Sequence, residues 1–189
     1  LWTVEQGQIP MVTGQAIYPL PVDTIDLMDQ VVRQNNGTTN QIDINITRIA
    51  EPTYITIPNK LTQGRPIQVW INRQSGQENT TAITLSGDIS ATDTTITLSS
   101  TVGLATAGFI KIGSETISYP NISGNQLLNC ARGQNNTTAA SHLTGAAITV
   151  QNLPCINVWP TPNAPGNQYT FVYYRLRRIQ DAGSGAYVQ

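Results

Sequence analysis

The residues able to do chemistry are few. The single histidine, His142, stands in Ala139-Ala140-Ser141-His142-Leu143. A Ser/His/Asp relay would have to use it, yet no Gly-x-Ser-x-Gly elbow occurs, and Ser141 cannot readily face the ring of its own neighbour. His142 therefore reads as a structural histidine near a turn. A zinc site would need Cys130, Cys155 and His142 together, and no Cys-x-x-Cys or His-Glu-x-x-His spacing brings ligands close in sequence. The two cysteines read as buried thiols that pack as small hydrophobes. Asp23, Asp26 and Asp29 would line one face of a helix and could offer oxygens to calcium. No helix is expected there, so they read as a solvated edge with turn-capping carboxylates. No phosphate-binding or dinucleotide fingerprint is present. The expectation is no enzyme, no metal, no cofactor and no small-molecule substrate.

Residues suited to contact are easier to find. Arg175, Arg177 and Arg178 form the one basic cluster. They suit an acidic partner surface or DNA phosphate, or else salt bridges and carbonyl contacts at a strand end. Trp2, Trp70 and Trp159 could build a stacking platform for sugar, although cross-strand packing of Trp70 and Trp159 is the plainer account. Asn-x-Thr/Ser triplets at Asn36, Asn45, Asn79, Asn121, Asn135 and Asn136 arise from a composition rich in Asn and Thr, and do not read as glycosylation sites.

The elements that must position these residues are strands. Ile42, Ile44 and Ile46 alternate with Asp43, Asn45 and Thr47, and Ile67, Val69 and Ile71 alternate with Gln68, Trp70 and Asn72. Such a period of two marks a pleated strand. Tyr54 to Ile57 reads as a strand ended by Pro58, and Ile25 to Val32 as a strand or short turn. Further strands fall at 82–85, 95–98, 109–112, 116–119, 126–128, 147–150 and 156–159. In the run 169–176, Tyr169, Phe171 and Tyr173 face one way and Thr170, Val172 and Tyr174 the other, which predicts a central strand covered on both sides. Gly and Asn clusters such as Asn35-Asn36-Gly37 and Ser123-Gly124-Asn125 punctuate the runs as turns. The fold class is all-β, a β-sandwich or barrel-like domain.

Composition agrees. Of 189 residues 39% are hydrophobic and only 11% charged, with 10 Lys and Arg against 11 Asp and Glu. An average soluble domain carries roughly 25% charge. The balance excludes a polybasic nucleic-acid binder and a disordered acidic tail. No run of about 18 apolar residues exists to span a membrane as a helix. Thr, Asn, Gln, Ser and Gly fill the space left by charge, as in β-rich proteins whose surface is covered by other subunits. The start at Leu1-Trp2, with no initiator Met and no signal segment, reads as an excerpt or a processed product. From 76 to 151 the texture changes: Thr, Ser, Ala and Gly become denser, and Pro120 is the one proline. The expectation is a host β-domain, 1–75 plus 152–189, interrupted by an inserted small β-module, 76–151, at a loop tip.

A string of host motifs carries a resemblance. It runs Leu1-Trp2, Gly14-x-x-x-Tyr18-x-Leu20-Pro21, Val31-Val32-Arg33, Ile46-x-Arg48, Tyr54-x-x-Ile57-Pro58-Asn59-Lys60, Gln63-Gly64-Arg65-Pro66 and Asn72-Arg73. It resumes with Val158-Trp159-Pro160-x-Pro162, Tyr169-x-x-x-Tyr173 and Arg177-Arg178-Ile179-Gln180-Asp181-Ala182-Gly183. In this order the segments resemble the head-to-tail adaptor (tail accessory) proteins of short-tailed bacteriophages. The resemblance implies a virion structural protein, assembled in the bacterial cytoplasm. It would dock under the portal as a homo-oligomeric ring, join the portal protein to the tail nozzle protein, and leave a passage for DNA. Two departures stand out. These 189 residues hold no helical part before the Leu-Trp pair or after the last strand. In the family the Asn-Arg strand also runs directly to the Trp-Pro strand.

The intervening piece has a likeness of its own. Thr95-Ile96-Thr97-Leu98, Gly108-x-x-Lys111-Ile112-Gly113-x-Glu115-x-Ile117-x-Tyr119, Cys130-x-Arg132-Gly133 and Thr137-x-Ala139-x-x-His142-x-x-Gly145-Ala146 resemble a small β-module of phage tail proteins. Its Arg-Gly and His-x-x-Gly pieces read as groups that lock turns. A nozzle or tube subunit of the same particle, and a carbohydrate- or receptor-binding tail module, are the alternative readings.

Overall fold

The computed structural model describes residues 2–166 and 168–178. The chain is all-β. In chain order the elements are β1 (Trp2–Pro10), β2 (Ile17–Pro19), β3 (Thr24–Gln34), β4 (Ile42–Asn45), β5 (Thr47–Arg48), α1 (Glu51–Ile55), β6 (Gln63–Gly64), β7 (Gln68–Asn72), β8 (Glu78–Thr84), β9 (Ile96–Thr97), β10 (Gly108–Ile112), β11 (Glu115–Tyr119), β12 (Asn121–Ser123), β13 (Gln126–Leu128), β14 (Ala131–Gln134), β15 (Ala147–Gln151), β16 (Cys155–Trp159), β17 (Thr161–Pro162) and β18 (Tyr169–Arg178). Among the described residues no helix is long and apolar enough to cross a membrane.

The chain divides into two compact units. Unit 1 gathers Leu1–Ala16, Pro21–Arg73 and Pro154–Gln189, and unit 2 gathers Ile17–Leu20 with Gln74–Leu153.

In unit 1 a four-stranded antiparallel sheet has the order β1-β18-β3-β4. The 169–176 run is central in it and buried on both faces over most of its length, as its pattern predicts. Tyr169, Phe171 and Tyr173 are buried on one face and Thr170 and Val172 on the other, while Tyr174 is 45% exposed. Bulges in the β18–β3 pairing, between Tyr174 and Arg175 and between Leu176 and Arg177, leave one extra β3 residue at each step. One of them is Met28, 63% exposed. Gly7 lies under the Tyr173 ring, and a Cβ there would meet ring atoms at 2.3–2.7 Å. A glycine is thus the residue that lets the ring cover the neighbouring strand.

Elsewhere in unit 1, β16 and β7 pair antiparallel, with Val158 opposite Val69 and Ile156 opposite Ile71, while β5 joins β7 in parallel. These four residues are at most 6% exposed, and burying each such side chain stabilises the fold by about 1.5–3 kcal/mol. The expected strand at Tyr54 to Ile57 is instead covered by α1 and the turn after it. Pro52 sits in the first helical turn, where its missing N–H costs nothing. Tyr54 turns inward to pack on Trp70, ring centroids 5.3 Å apart. The local β-branched pattern lost to that packing.

In unit 2 a five-stranded sheet, β14-β11-β10-β15-β8, accompanies the small sheet β12-β13-β9. The core between them is built from Ile96, Leu98, Ile110, Ile112, Ile117, Tyr119, Leu127 and Ile148. Strand β11 is buried along its whole length, including its first residue, Glu115.

Candidate functional site

A buried carboxylate organises unit 2. Glu115 is fully buried. Arg132 approaches it side-on, donating from Nε to Oε1 at 2.8 Å and from Nη2 to Oε2 at 2.8 Å. The Gly133 N–H donates to Oε1 at 3.0 Å, and the Ala140 N–H to Oε2 at 3.1 Å. His142 Nε2 lies 2.7 Å from Oε2. Arg132 spends its remaining donors on the carbonyls of Ser90, Asp93 and Ala140. Burial alone would raise the Glu115 carboxyl, but the bonds from Arg132, His142, Ala140 and Gly133 outweigh it and hold the group at about 2. Gly133 has φ 58°, and a Cβ there would meet Ala139 N at 2.9 Å. Arg132-Gly133 and His142 thus sit where turn-locking groups belong, and the acceptor that joins them is Glu115. No local spacing pairs Glu115 with Arg132 or His142, because 17 and 27 positions separate it from them.

A second charge cluster lies in unit 1. Arg175 is 6% exposed. Its Nη1 donates to Asp23 Oδ1 at 2.5 Å and to Thr24 Oγ1 at 3.1 Å, and its Nη2 donates to Glu5. Arg177 flanks the same two carboxylates at 3.5 and 3.6 Å. Arg175 is therefore corrected from a candidate partner contact to an internal ion pair, since its guanidinium points into the fold. Arg177 keeps a side chain 31% exposed, and the Arg178 side chain lies outside the described residues. Asp23 is corrected too. It is 7% exposed and pairs across the chain, so it is no solvated cap. Asp26 accepts Arg48 at 2.8 Å and Arg73 at 2.7 Å, and Asp29 accepts the N–H of Gln30.

The other candidates are placed as follows. Cys130 and Cys155 are free and buried, and burial pushes both thiols up to about 12. Trp159 Nε1 donates to the Asn59 carbonyl at 3.0 Å. Trp2's side chain falls outside the described residues. So do Leu1 and 179–183 of the resemblance string. An open groove of about 520 Å³ beside β7 is lined by Arg48, Glu51, Trp70, Asn72 and Arg73, with Ile49, Ala50 and Ile71. Among the described residues, no group of three or more His, Cys, Asp or Glu is placed to hold a metal ion.

Electrostatically the surface is quiet. Arg33 clasps Asp43 at 2.7 and 2.9 Å, and Lys111 reaches Glu78 at 3.0 Å. Among the described residues, only Glu51, Lys60 and Arg65 lack an ion pair or a direct side-chain bond to another residue's polar side chain or N–H. Asp29 has its neighbour's N–H, and Lys60 caps the carbonyls of Ile55 and Ile57. Much of what faces outward is neutral, amides, hydroxyls and scattered apolar groups such as Val4, 53% exposed, Ile42 and Tyr174, alongside exposed charges such as Glu51, Arg65, Asp88 and Asp93. Comparison with family models, curated proteins and solved structures finds no match.

Proposed function

We propose that the chain is a structural subunit of a bacteriophage virion: a head-to-tail adaptor that assembles as a closed ring, joining the portal protein to the nozzle of a short tail. The motif string motivates the assignment. The single structural observation that supports it is the internal use of charge. Ion pairs hold most of the described arginines and their carboxylate partners, with Asp29, Glu51, Lys60, Arg65, Asp88 and Asp93 outside them, and the strand edges and one sheet face that remain to meet other subunits are largely neutral. Low charge with abundant strand suits contacts made by backbone ladders and hydrogen-bonding side chains.

The test is a map of the intact particle together with the solution mass of the purified chain. A ring of copies between portal and nozzle is the expected result. A chain that stays monomeric and occurs in the particle as one isolated copy overturns the reading. A position further from the head would favour the nozzle or tube alternative.

The groove beside Trp70 favours a second reading, a carbohydrate-binding tail module. An open cleft that combines an indole with Arg, Asn and Glu offers stacking and hydrogen bonds to a sugar. Glycan-array binding that is lost in Trp70→Ala would support it, and a blank array would remove it.

A further inference from the structure

The four-stranded sheet of unit 1 ends in two strands with nothing paired on their outer sides among the described residues, β1 and β4. The bonding pattern shows which residues face outward. Met11 N–H donates to Tyr169 O, one step beyond the Pro10–Thr170 pair. In an antiparallel ladder, bonded and non-bonded pairs alternate. Thr3, Glu5, Gly7 and Ile9 therefore bond to β18, while Val4, Gln6 and Gln8 direct their N–H and C=O groups away from it. On the far side, Asn35 N–H donates to Gln168 O. Carried through β3, the same alternation pairs Gln34 with Ile42 and Val32 with Ile44, and leaves Asp43 and Asn45 facing outward on β4.

Edge strands normally carry protection: an inward charge, a lysine, a bulge or a proline. Here the outward residues of β1 are uncharged and exposed. Pro10, which has no N–H, comes only at the end of the strand. The one charge on the outer side of β4, Asp43, is neutralised by the Arg33 clasp. Direction matters as well. With four strands alternating in direction, β1 and β4 run opposite ways. Copies related by rotation about a ring axis would therefore bring β4 of one beside β1 of the next as an antiparallel pair. Directly opposite residues share a face, so Gln8, Val172, Val31 and Asn45 form one row across the sheet. The outward groups of both edges thus belong to residues on that same face, and the joined sheet would keep it on one side in every subunit.

We propose that β4 of one copy adds to β1 of the next, so that the sheets of a ring of copies join into one continuous antiparallel belt. This rests on the ring reading above and specifies its junction. The occupant of the β1 edge is a second copy of this chain, presented through residues 42–45.

The test places cysteines across the junction in the full chain: Val4→Cys, Gln6→Cys and Gln8→Cys, each combined with Asn45→Cys. Bonded antiparallel pairs have Cα atoms about 5.5 Å apart, within disulfide reach, and the native thiols are buried. Under mild oxidation one of the three double variants is expected to give covalent species of three or more copies on a non-reducing gel. Mixing the corresponding single variants should give dimers only. As a second measurement, Gln6→Lys with Gln8→Lys should lower the oligomer population at least tenfold with the thermal midpoint unchanged, because both side chains are exposed. Dimers formed by a β1 single variant alone would mean two-fold β1–β1 pairing and overturn the proposal. Native-mass oligomers without any linked species would overturn the junction and leave the ring reading standing. A persistent monomer in every arm would overturn both.

Discussion

Glu115→Gln isolates the carboxylate that ties unit 2 together. The side chain keeps its shape and loses its charge, so Arg132, only 7% exposed, is left buried without a counter-ion. Two routes give the magnitude. The native carboxyl sits at about 2 against an ordinary 4.5, and at 1.36 kcal/mol for each unit that difference is worth about 3 kcal/mol. Removing one partner of a buried ion pair costs about 3–5 kcal/mol. The sign follows from the depressed value. The contribution is fully present above pH 4.5 and is lost as the pH falls from there toward 2. Urea unfolding of both proteins between pH 7 and pH 2.5 is the assay. The wild type should lose most of the 3 kcal/mol across the acid limb on top of the slope both proteins share from the depressed carboxyls of Asp26, Asp43, Glu78, Asp88 and Asp93, whereas the variant should start about 3 kcal/mol lower and keep only that shared slope, so the two curves converge toward pH 2.5. Adding Arg132→Met should recover part of the loss, because the orphaned charge goes with it. A variant within 0.5 kcal/mol of wild type at pH 7, or one that keeps the full acid slope, would refute the claim that this carboxylate holds the loops; the threshold is the usual scatter of inconsequential surface substitutions, about 0.5 kcal/mol.

Asp23→Ala removes the buried partner of Arg175 and should cost about 3 kcal/mol in chemical denaturation, and Arg175→Met in the same background should restore part of it. Gly7→Ala drives a Cβ into the Tyr173 ring and should lower stability by about 1–3 kcal/mol; an unchanged melting midpoint would contradict the close approach. Asp26→Asn frees Arg48 and Arg73 on a partly exposed patch and should change stability by less than about 1 kcal/mol, with the difference shrinking in high salt. Cys130 and Cys155 should resist a thiol reagent at pH 8 in the native protein and both react once urea unfolds it. Rapid labelling without denaturant would show that the thiols are not sealed.

Period-two patterns carried most of what was legible. The strands of β7, β16 and β18 and the core positions Val69, Ile71, Ile156, Val158 and Phe171 lie where alternation places them. Tyr54 escaped because a β-branched run says nothing of the Trp70 face that captures it. Strand β1 was not anticipated: Gly7 and Pro10 interrupt its pattern, and its register comes wholly from β18. The charge clusters were illegible for a different reason. Asp23 and Arg175 lie 152 positions apart, and no local spacing rule reaches that far. Composition did show that charge is scarce, and the ion pairs show where it went.

The clasp of Asp43 by Arg33, with the burial of Arg175 between Asp23 and Glu5, bears on how fast copies of the chain can find each other. Molecules whose charges are cancelled at home meet with little long-range guidance, at the unsteered rate of about 10⁵–10⁶ M⁻¹s⁻¹. Their association should therefore change little as the ionic strength of the medium rises, and it should depend chiefly on how many copies share the same volume.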